Sequence, residues 1–376
     1  MNCIRLVVGG EVVIASENEI RDGHLLSERL AKGDITFLQG TPVTWQMLLA
    51  AGWPGTPGLK MISCGEALTR HLASQLLERG AALWNLYGPT EATIFATGHR
   101  VLPAELEQLN RDDLPIGRPV HNMQAYILDT QQRLLPIGAF GELYLGGVGL
   151  SQGYLYREEL TAERFIAHPF SDDAKAKLYR TGDLARYRPD GIIEYLGRTD
   201  YQVKVHGFRI ELGEIESRLE ELAEVQTAVA IAWTNPANND KQLVAYFVSA
   251  TGDPVDTDQI RTALKNALPN YMLPGILMQL PQLPATPNGK VDRKALPAPQ
   301  ETRGAERPYV APRNSLEEQL AQLWEELFSV ERVGIHDSFL DLGGHSLLAT
   351  HLISNIQSTL GVRLAVGDLF RHETIA

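Results

Sequence analysis

The feature that most limits how this chain can fold is the stretch from Pro297 to Asn314, PAPQETRGAERPYVAPRN, where prolines and charges crowd out apolar side chains. Such a segment cannot bury a core and reads as a linker. The apolar residues on either side must therefore fold as separate bodies. At 376 residues the chain fits two or three domains, and its 44% hydrophobic content is enough to bury them.

Texture changes along the chain set the remaining boundaries. From Arg5 to about Arg100, β-branched runs such as EVVIA alternate with helical patterns such as HLLSERLAKG and LTRHLASQLLERG, the second predicted to end at a C-cap, Gly80. That alternation implies α/β layering. Between Asn122 and Tyr195 the short runs QAYILD, GELYLGG and GIIEYLG, divided by Gly, Pro and Asp, predict a small antiparallel β unit. Next, YQVKVHGFRI reads as a strand, ELGEIESRLEEL as a helix, TAVAIAW and QLVAYFVSA as strands, and DTDQIRTALKNAL as a helix with an acidic cap. This is a compact α+β unit. Beyond the linker, Ser315 and Glu318 have the spacing of a capping box opening an amphipathic helix, and a second helix is predicted near Ser346, with Leu348, Leu352 and Ile356 on one face. The expected domains are residues 1–199, 200–296, a linker at 297–313, and a small helical bundle at 314–376.

Lys+Arg 34 against Asp+Glu 46 gives a net charge of -12, which repels nucleic acid and anionic membrane surfaces. The two cysteines, Cys3 and Cys64, supply no disulfide framework and read as reduced thiols in a cytoplasmic protein. Gly9, Gly10 and Glu11 break the first apolar run before it could span a membrane or act as a signal sequence. The chain starts in mid-strand, so sequence upstream is expected.

Three places carry chemistry. In DSFLDLGGHSLLATHL, Ser346 stands at a helix start with no base beside it, and Leu348 occupies the place where a GxSxG nucleophile elbow needs glycine. A hydroxyl without activation suits modification by another protein, or simple helix capping. In LWNLYGPTEATI, Gly88 and Pro89 fix a turn, while Thr90 and Glu91 offer a hydroxyl and a carboxylate to a phosphate and Mg2+, or merely start a helix. Asp183 in YRTGDLARY suits two ribose hydroxyls, Arg198 the same sugar or a phosphate, and Lys290, after Asn288 and Gly289, brings a cation on a loop.

In this order, NLYGPTEATI, GELYLGGVGLSQGYLYREELTAERF, YRTGDLARY, GRTDYQVKVHGFRIELGEIE and NGKVDRKAL resemble the core motifs of nonribosomal peptide synthetase adenylation domains. FLDLGGHSLLA resembles the attachment site of peptidyl carrier domains. The resemblance implies an α/β and α+β adenylate-forming fold lacking its N-terminal part, followed by a carrier bundle whose last helix is incomplete. It implies ATP, Mg2+ and 4'-phosphopantetheine as cofactors, the last carried on Ser346. Thr90 and Glu91 would meet the phosphates and Mg2+, Asn85, Tyr87 and Gly88 would line the adenine site, and Asp183 and Arg198 would hold the ribose. Lys290 would bridge the substrate carboxylate and the AMP phosphate, Asp200 would be the hinge, and Gly207 would admit the carrier arm. Ile62, Cys64, Leu86, Ile94 and Phe95 would line an apolar acyl pocket for a small or aliphatic amino acid such as glycine or alanine. The implied partners are that amino acid, a phosphopantetheinyl transferase, and condensation or other synthetase domains. The chain departs from the family in showing no Ser/Thr/Gly-rich phosphate loop before NLYGPTE, so two other readings stay open: a noncatalytic carrier with a remnant adenylation body, and a related acyl-CoA ligase.

Overall fold

The computed structural model describes residues 9–109, 111–199, 202–205, 207–234, 241–286, 291–299, 309–328, 330, 332–339, 342, 344, 346–362, 364 and 366–376. Asp200, Lys290 and the middle of the linker lie outside them. Two units result, one of residues 32–45 and 54–202, the other of residues 1–31, 46–53 and 203–376.

In the first unit, β1 (Phe37–Gly40), β2 (Lys60–Cys64) and β3 (Ala82–Tyr87) run parallel, and β4 (Thr97–Val101) and β5 (Arg118–Pro119) add antiparallel. Met61, Ile62 and Ser63 are buried in succession, as on a strand covered on both faces, while β3 alternates, burying Leu83, Asn85 and Tyr87. The helix Arg70–Leu77 connects β2 to β3; Thr69 Oγ1 caps it by accepting from the Leu72 N–H. It stops at Glu78, not at Gly80 as predicted. Gly80 instead packs tightly, where an added Cβ would meet the Leu59 carbonyl oxygen at 3.0 Å and push aside the end of the Met61 side chain.

The second sheet is antiparallel, with β6 (Met123–Leu128), β7 (Phe140–Gly147), β8 (Phe165–Ala167), β9 (Lys177–Tyr187) and β10 (Ile193–Arg198). Its order is β10-β9-β7-β6, with β8 also paired to β9. β6, β7 and β10 follow the predicted runs; β8 and β9, the strand that carries Asp183, are not among those predicted. A bulge between Tyr195 and Gly197 shifts the β10/β9 register, so that Arg198 faces Asp183 directly. Gly197 supplies the turn of the backbone there, at φ 109, a conformation that strains any residue with a Cβ.

The other unit begins differently from expectation. EVVIA is irregular, because β-branched residues hold an extended form only against a neighbouring strand, and none pairs with it among the described residues. A helix at Glu17–Arg21 follows, opened by a capping box between Ser16 and Glu19. YQVKVHGFRI is not one strand but two, β11 (Gln202–Val205) and β12 (Phe208–Glu211), paired across Gly207 at φ 83. Then β13 (Val225–Thr234) and β14 (Lys241–Ser249) pair antiparallel, and β15 (Ile276–Gln279) adds parallel to β14. The helices Leu212–Glu220 and Thr257–Ala267 bury Ile215, Leu219, Ile260 and Leu264 against Ala245 and Phe247 of the sheet.

The bundle comprises the helices Ser315–Phe328, Ser346–Leu360 and Val366–Arg371. Trp324, Phe328, Leu352 and Ile356 pack about the fully buried Phe339. The cap of the first of these helices is Asn314, not Ser315: Asn314 Oδ1 accepts from the N–H groups of Leu316 and Glu317 at 3.1 and 3.0 Å. Asparagine caps as well as serine does, and here it stands one residue earlier.

Candidate nucleotide site

The turn after β3 is built by exclusion. A Cβ on Gly88 would sit 2.4 Å from the Ile94 carbonyl oxygen, so only glycine lets the chain fold back on itself. Thr90–Ala92 forms one 3-10 turn, and Ala96 N–H closes the loop onto the Tyr87 carbonyl at 2.8 Å. Thr93 and Ile94 both take positive φ, 53 and 73. Two β-branched residues in the left-handed region store on the order of 1–3 kcal/mol each, a cost usually found at functional turns. Thr90 is exposed and Glu91 is buried.

Glu91 is gripped by the loop that follows β7. Ser151 N–H donates to the Glu91 carbonyl at 2.8 Å, Thr93 Oγ1 donates to the Gly149 carbonyl at 2.5 Å, and the Tyr154 hydroxyl donates to Glu91 Oε1 at 2.6 Å. Burial, and then the hydrogen bond to Glu91, push the Tyr154 phenol far above its ordinary range, so it remains a donor. Val148 and Gly149 form the turn after β7, and its continuation is what reaches Glu91. Sequence analysis assigns Tyr154 and Ser151 no role; their partner lies about 60 residues away in sequence, beyond any local pattern.

Asp183 is buried on β9 between two donors. Arg198 NH1 donates to Oδ1 at 2.7 Å, and the Tyr87 hydroxyl donates to Oδ2. Arg198 NH2 also bonds the Thr181 carbonyl, and Thr181 Oγ1 both receives the Asp183 N–H and donates to the Leu143 carbonyl. Burial and the neighbouring Asp183 charge hold the Tyr87 phenol well above its usual range. A carboxylate has about four acceptor positions, so two bonded oxygens retain capacity for further donors. Asn85 is buried on the same strand as Tyr87 and donates from Nδ2 to the Pro115 carbonyl at 2.9 Å.

The residues named for the acyl pocket fall in two groups. Ile62, Cys64 and Leu86 share one face of β2 and β3, with Cys64 and Leu86 in register. Gln39, which sequence analysis misses, donates to Cys64 Sγ at 3.4 Å from β1. Ile94, 46% exposed, and Phe95 sit on the turn instead. In the other unit, Gly207 joins β11 to β12 and Ser346 is the first residue of its helix; the Ser346 hydroxyl, like Asp200 and Lys290, lies outside what is described. Among the described residues no group of three or more His, Cys, Asp or Glu could hold a metal, and no helix is long and apolar enough to cross a membrane.

Residues 2–155 match the AMP-binding enzyme family, residues 214–290 the AMP-binding enzyme C-terminal domain, and residues 318–376 the phosphopantetheine attachment site. The chain is 42% identical over 373 residues to a dimodular nonribosomal peptide synthase of Bacillus subtilis (strain 168), covering 99% of this chain and 15% of that one. It is 42% identical over 376 residues to tyrocidine synthase 3 of Brevibacillus parabrevis, covering 98% and 6%. It thus spans only a small part of these relatives. Among solved structures it is similar to holo-PA1221, an NRPS protein containing adenylation and PCP domains bound to vinylsulfonamide inhibitor (TM-score 0.75, 28% identity, 94% of this chain and 58% of that one). It is also similar to the Vibrio cholerae adenylation domain AlmE in complex with glycyl-adenosine-5'-phosphate (TM-score 0.61, 26% identity, 71% and 50%). The chain belongs to the nonribosomal peptide synthetase family, as an adenylation segment of the adenylate-forming fold followed by a peptidyl carrier domain.

Proposed function

We propose that this chain activates an amino acid with ATP and passes the acyl group, as a thioester, to a phosphopantetheine arm on Ser346. One observation carries the reading: Tyr87, three residues before Thr90, is hydrogen-bonded to Asp183. A ribose-holding acid and a phosphate-meeting turn are thereby one side chain apart, the spacing that a single nucleotide needs.

Asp183, oriented by Arg198, accepts the ribose hydroxyls; Asn85, Tyr87 and Gly88 border the adenine; Thr90 bonds a phosphate oxygen. The substrate carboxylate attacks the α-phosphorus, the bond to the β-phosphate bridging oxygen breaks, and pyrophosphate leaves with that electron pair. Lys290 offsets the negative charge that builds up. Glu91, in no group of three or more His, Cys, Asp or Glu among the described residues, fits Mg2+, which binds through one or two carboxylates together with nucleotide phosphates. The cation would neutralise phosphate charge there. Ser346 opens a 15-residue helix, whose N-terminal N–H groups suit a phosphodiester. The arm would supply the thiol that receives the acyl group while AMP leaves. In this reading residues 200–296 turn about Asp200 between the two steps, Gly207 leaves room for the arm, residues 297–313 tether the carrier at 314–376, and all of this takes place in the cytoplasm.

In this reading Ile62, Cys64 and Leu86 on the sheet, with Ile94 and Phe95 on the turn, would line a pocket for a small or aliphatic amino acid, glycine or alanine, in line with the glycyl adenylate that AlmE holds. Partners are a phosphopantetheinyl transferase and condensation or other synthetase domains. Amino-acid-dependent exchange of pyrophosphate into ATP tests the activation step, with exchange greatest for glycine or alanine. With CoA and a phosphopantetheinyl transferase, the chain gains one arm's mass and Ser346→Ala gains none. Modification without exchange for any amino acid leaves the noncatalytic carrier; acyl transfer to free CoA in preference to the arm would indicate the acyl-CoA ligase.

A further inference from the structure

Resting on the reading of Glu91 as the carboxylate that meets Mg2+, we propose that Tyr154 is a positioning residue, whose hydroxyl fixes the orientation in which Glu91 is offered to the cation. The bond from Tyr154 to Glu91 Oε1, 2.6 Å long, links two segments 63 residues apart. Both ends are held. On one side the Tyr154 N–H donates to Thr161 Oγ1 at 2.9 Å, and Thr161 in turn donates to the Arg157 carbonyl at 2.8 Å. The Tyr154 ring meets Phe165 edge-on at 5.7 Å, and Phe165 lies 5.0 Å from Tyr179, so the phenol has little freedom to leave. On the other side Ser151 N–H holds the Glu91 carbonyl at 2.8 Å. One loop therefore fixes both the main chain and the carboxylate of the same residue.

A fixed carboxylate matters more for this cation than for most. Mg2+ demands near-octahedral angles and draws little from the protein, so a single ligand that can rotate contributes weakly. Hydrogen bonds to metal-binding carboxylates set that orientation, and their loss typically weakens metal affinity about 10–100-fold. A purely structural clamp makes a different prediction: its loss would lower ATP affinity equally whether or not metal is present.

Calorimetric titration of the full chain with ATP, in Mg2+ and then in EDTA, separates the two. In wild type, Mg2+ should tighten ATP binding. Tyr154→Phe, which keeps the ring and its packing, should reduce that Mg2+-dependent gain about tenfold while leaving the EDTA affinity in place. Glu91→Gln should abolish the gain. If Glu91→Gln removes the gain and Tyr154→Phe does not, the positioning role is wrong and the reading of Glu91 stands. If Tyr154→Phe weakens binding equally in Mg2+ and in EDTA, the tyrosine is a clamp and the positioning role is again wrong. If Glu91→Gln changes nothing, or wild type shows no Mg2+-dependent gain, the reading of Glu91 itself is overturned, and the inference with it.

Discussion

Around Asp183, rigidity comes from hydrogen bonds: a guanidinium on one oxygen, a phenol on the other, and a threonine on its N–H. Around Phe339 it comes from ring contacts, with Trp324 at 5.5 Å and Phe328 at 5.4 Å, both edge-on. The contrast follows from what each region must hold. A site that stabilises charge during a reaction needs polar groups already oriented, so that none has to reorganise at that moment. A carrier needs only a firm post for a swinging arm, and apolar packing suffices. The first strategy is vulnerable to loss of a single atom, because a buried group left without its partner is costly. The second spreads its stability over many weak contacts.

The largest effect should come from Asp183→Asn, which leaves Arg198 as a buried cation facing a neutral amide. Urea unfolding followed by a probe in the first unit should show a loss of about 3–5 kcal/mol, together with loss of ATP binding. A loss below about 1 kcal/mol would mean that the ion pair does not hold this region together. Phe339→Leu removes about three carbons from the bundle core and should cost roughly 2 kcal/mol, while pyrophosphate exchange continues unchanged. A fall in exchange would end the separation drawn between the two regions. Asn314→Ala frees the first N–H groups of the bundle's opening helix and should lower carrier stability by about 1 kcal/mol, with Ser315→Ala nearly silent. The smallest effect is one of pH. Hydrogen bonds from the Arg313 side chain, then from its main chain, hold the Glu317 carboxyl down at about 2. Its folded value is depressed, so its contribution is complete above the ordinary value of 4.5 and is lost as pH falls toward 2. Carrier unfolding followed across that window should flatten in Glu317→Gln.

Much of this is legible in the sequence, for reasons that differ by place. β6, β7 and β10 of the second sheet lie where short apolar runs bounded by turn residues put them, because that signal is local, whereas β8 and β9 are not among the strands predicted. Asp183 and Arg198 each stand out from their own motif. Their direct apposition is not readable, since it depends on one extra residue between Tyr195 and Gly197 that only the pairing with β9 reveals. Tyr154 escapes for the same reason, its partner being far along the chain. EVVIA misleads because strand propensity does not supply a strand to pair with, and the Ser315 box because two cap-forming residues stand side by side and spacing alone does not choose between them.

The pair of left-handed residues after the 3-10 turn bears on any attempt to retarget this protein. Ile94 is both a candidate wall of the acyl pocket and the second member of that pair. Exchanging it to admit a different amino acid would also change how much torsional tension the segment beside Thr90 and Glu91 carries; glycine or asparagine would slacken it, while valine would preserve it. On the proposed reading, recognition of the acyl group and handling of the triphosphate would be mechanically linked through one backbone position, and selections for new specificity at Ile94 should recover companion changes along the Gly149–Tyr154 loop that restore the turn.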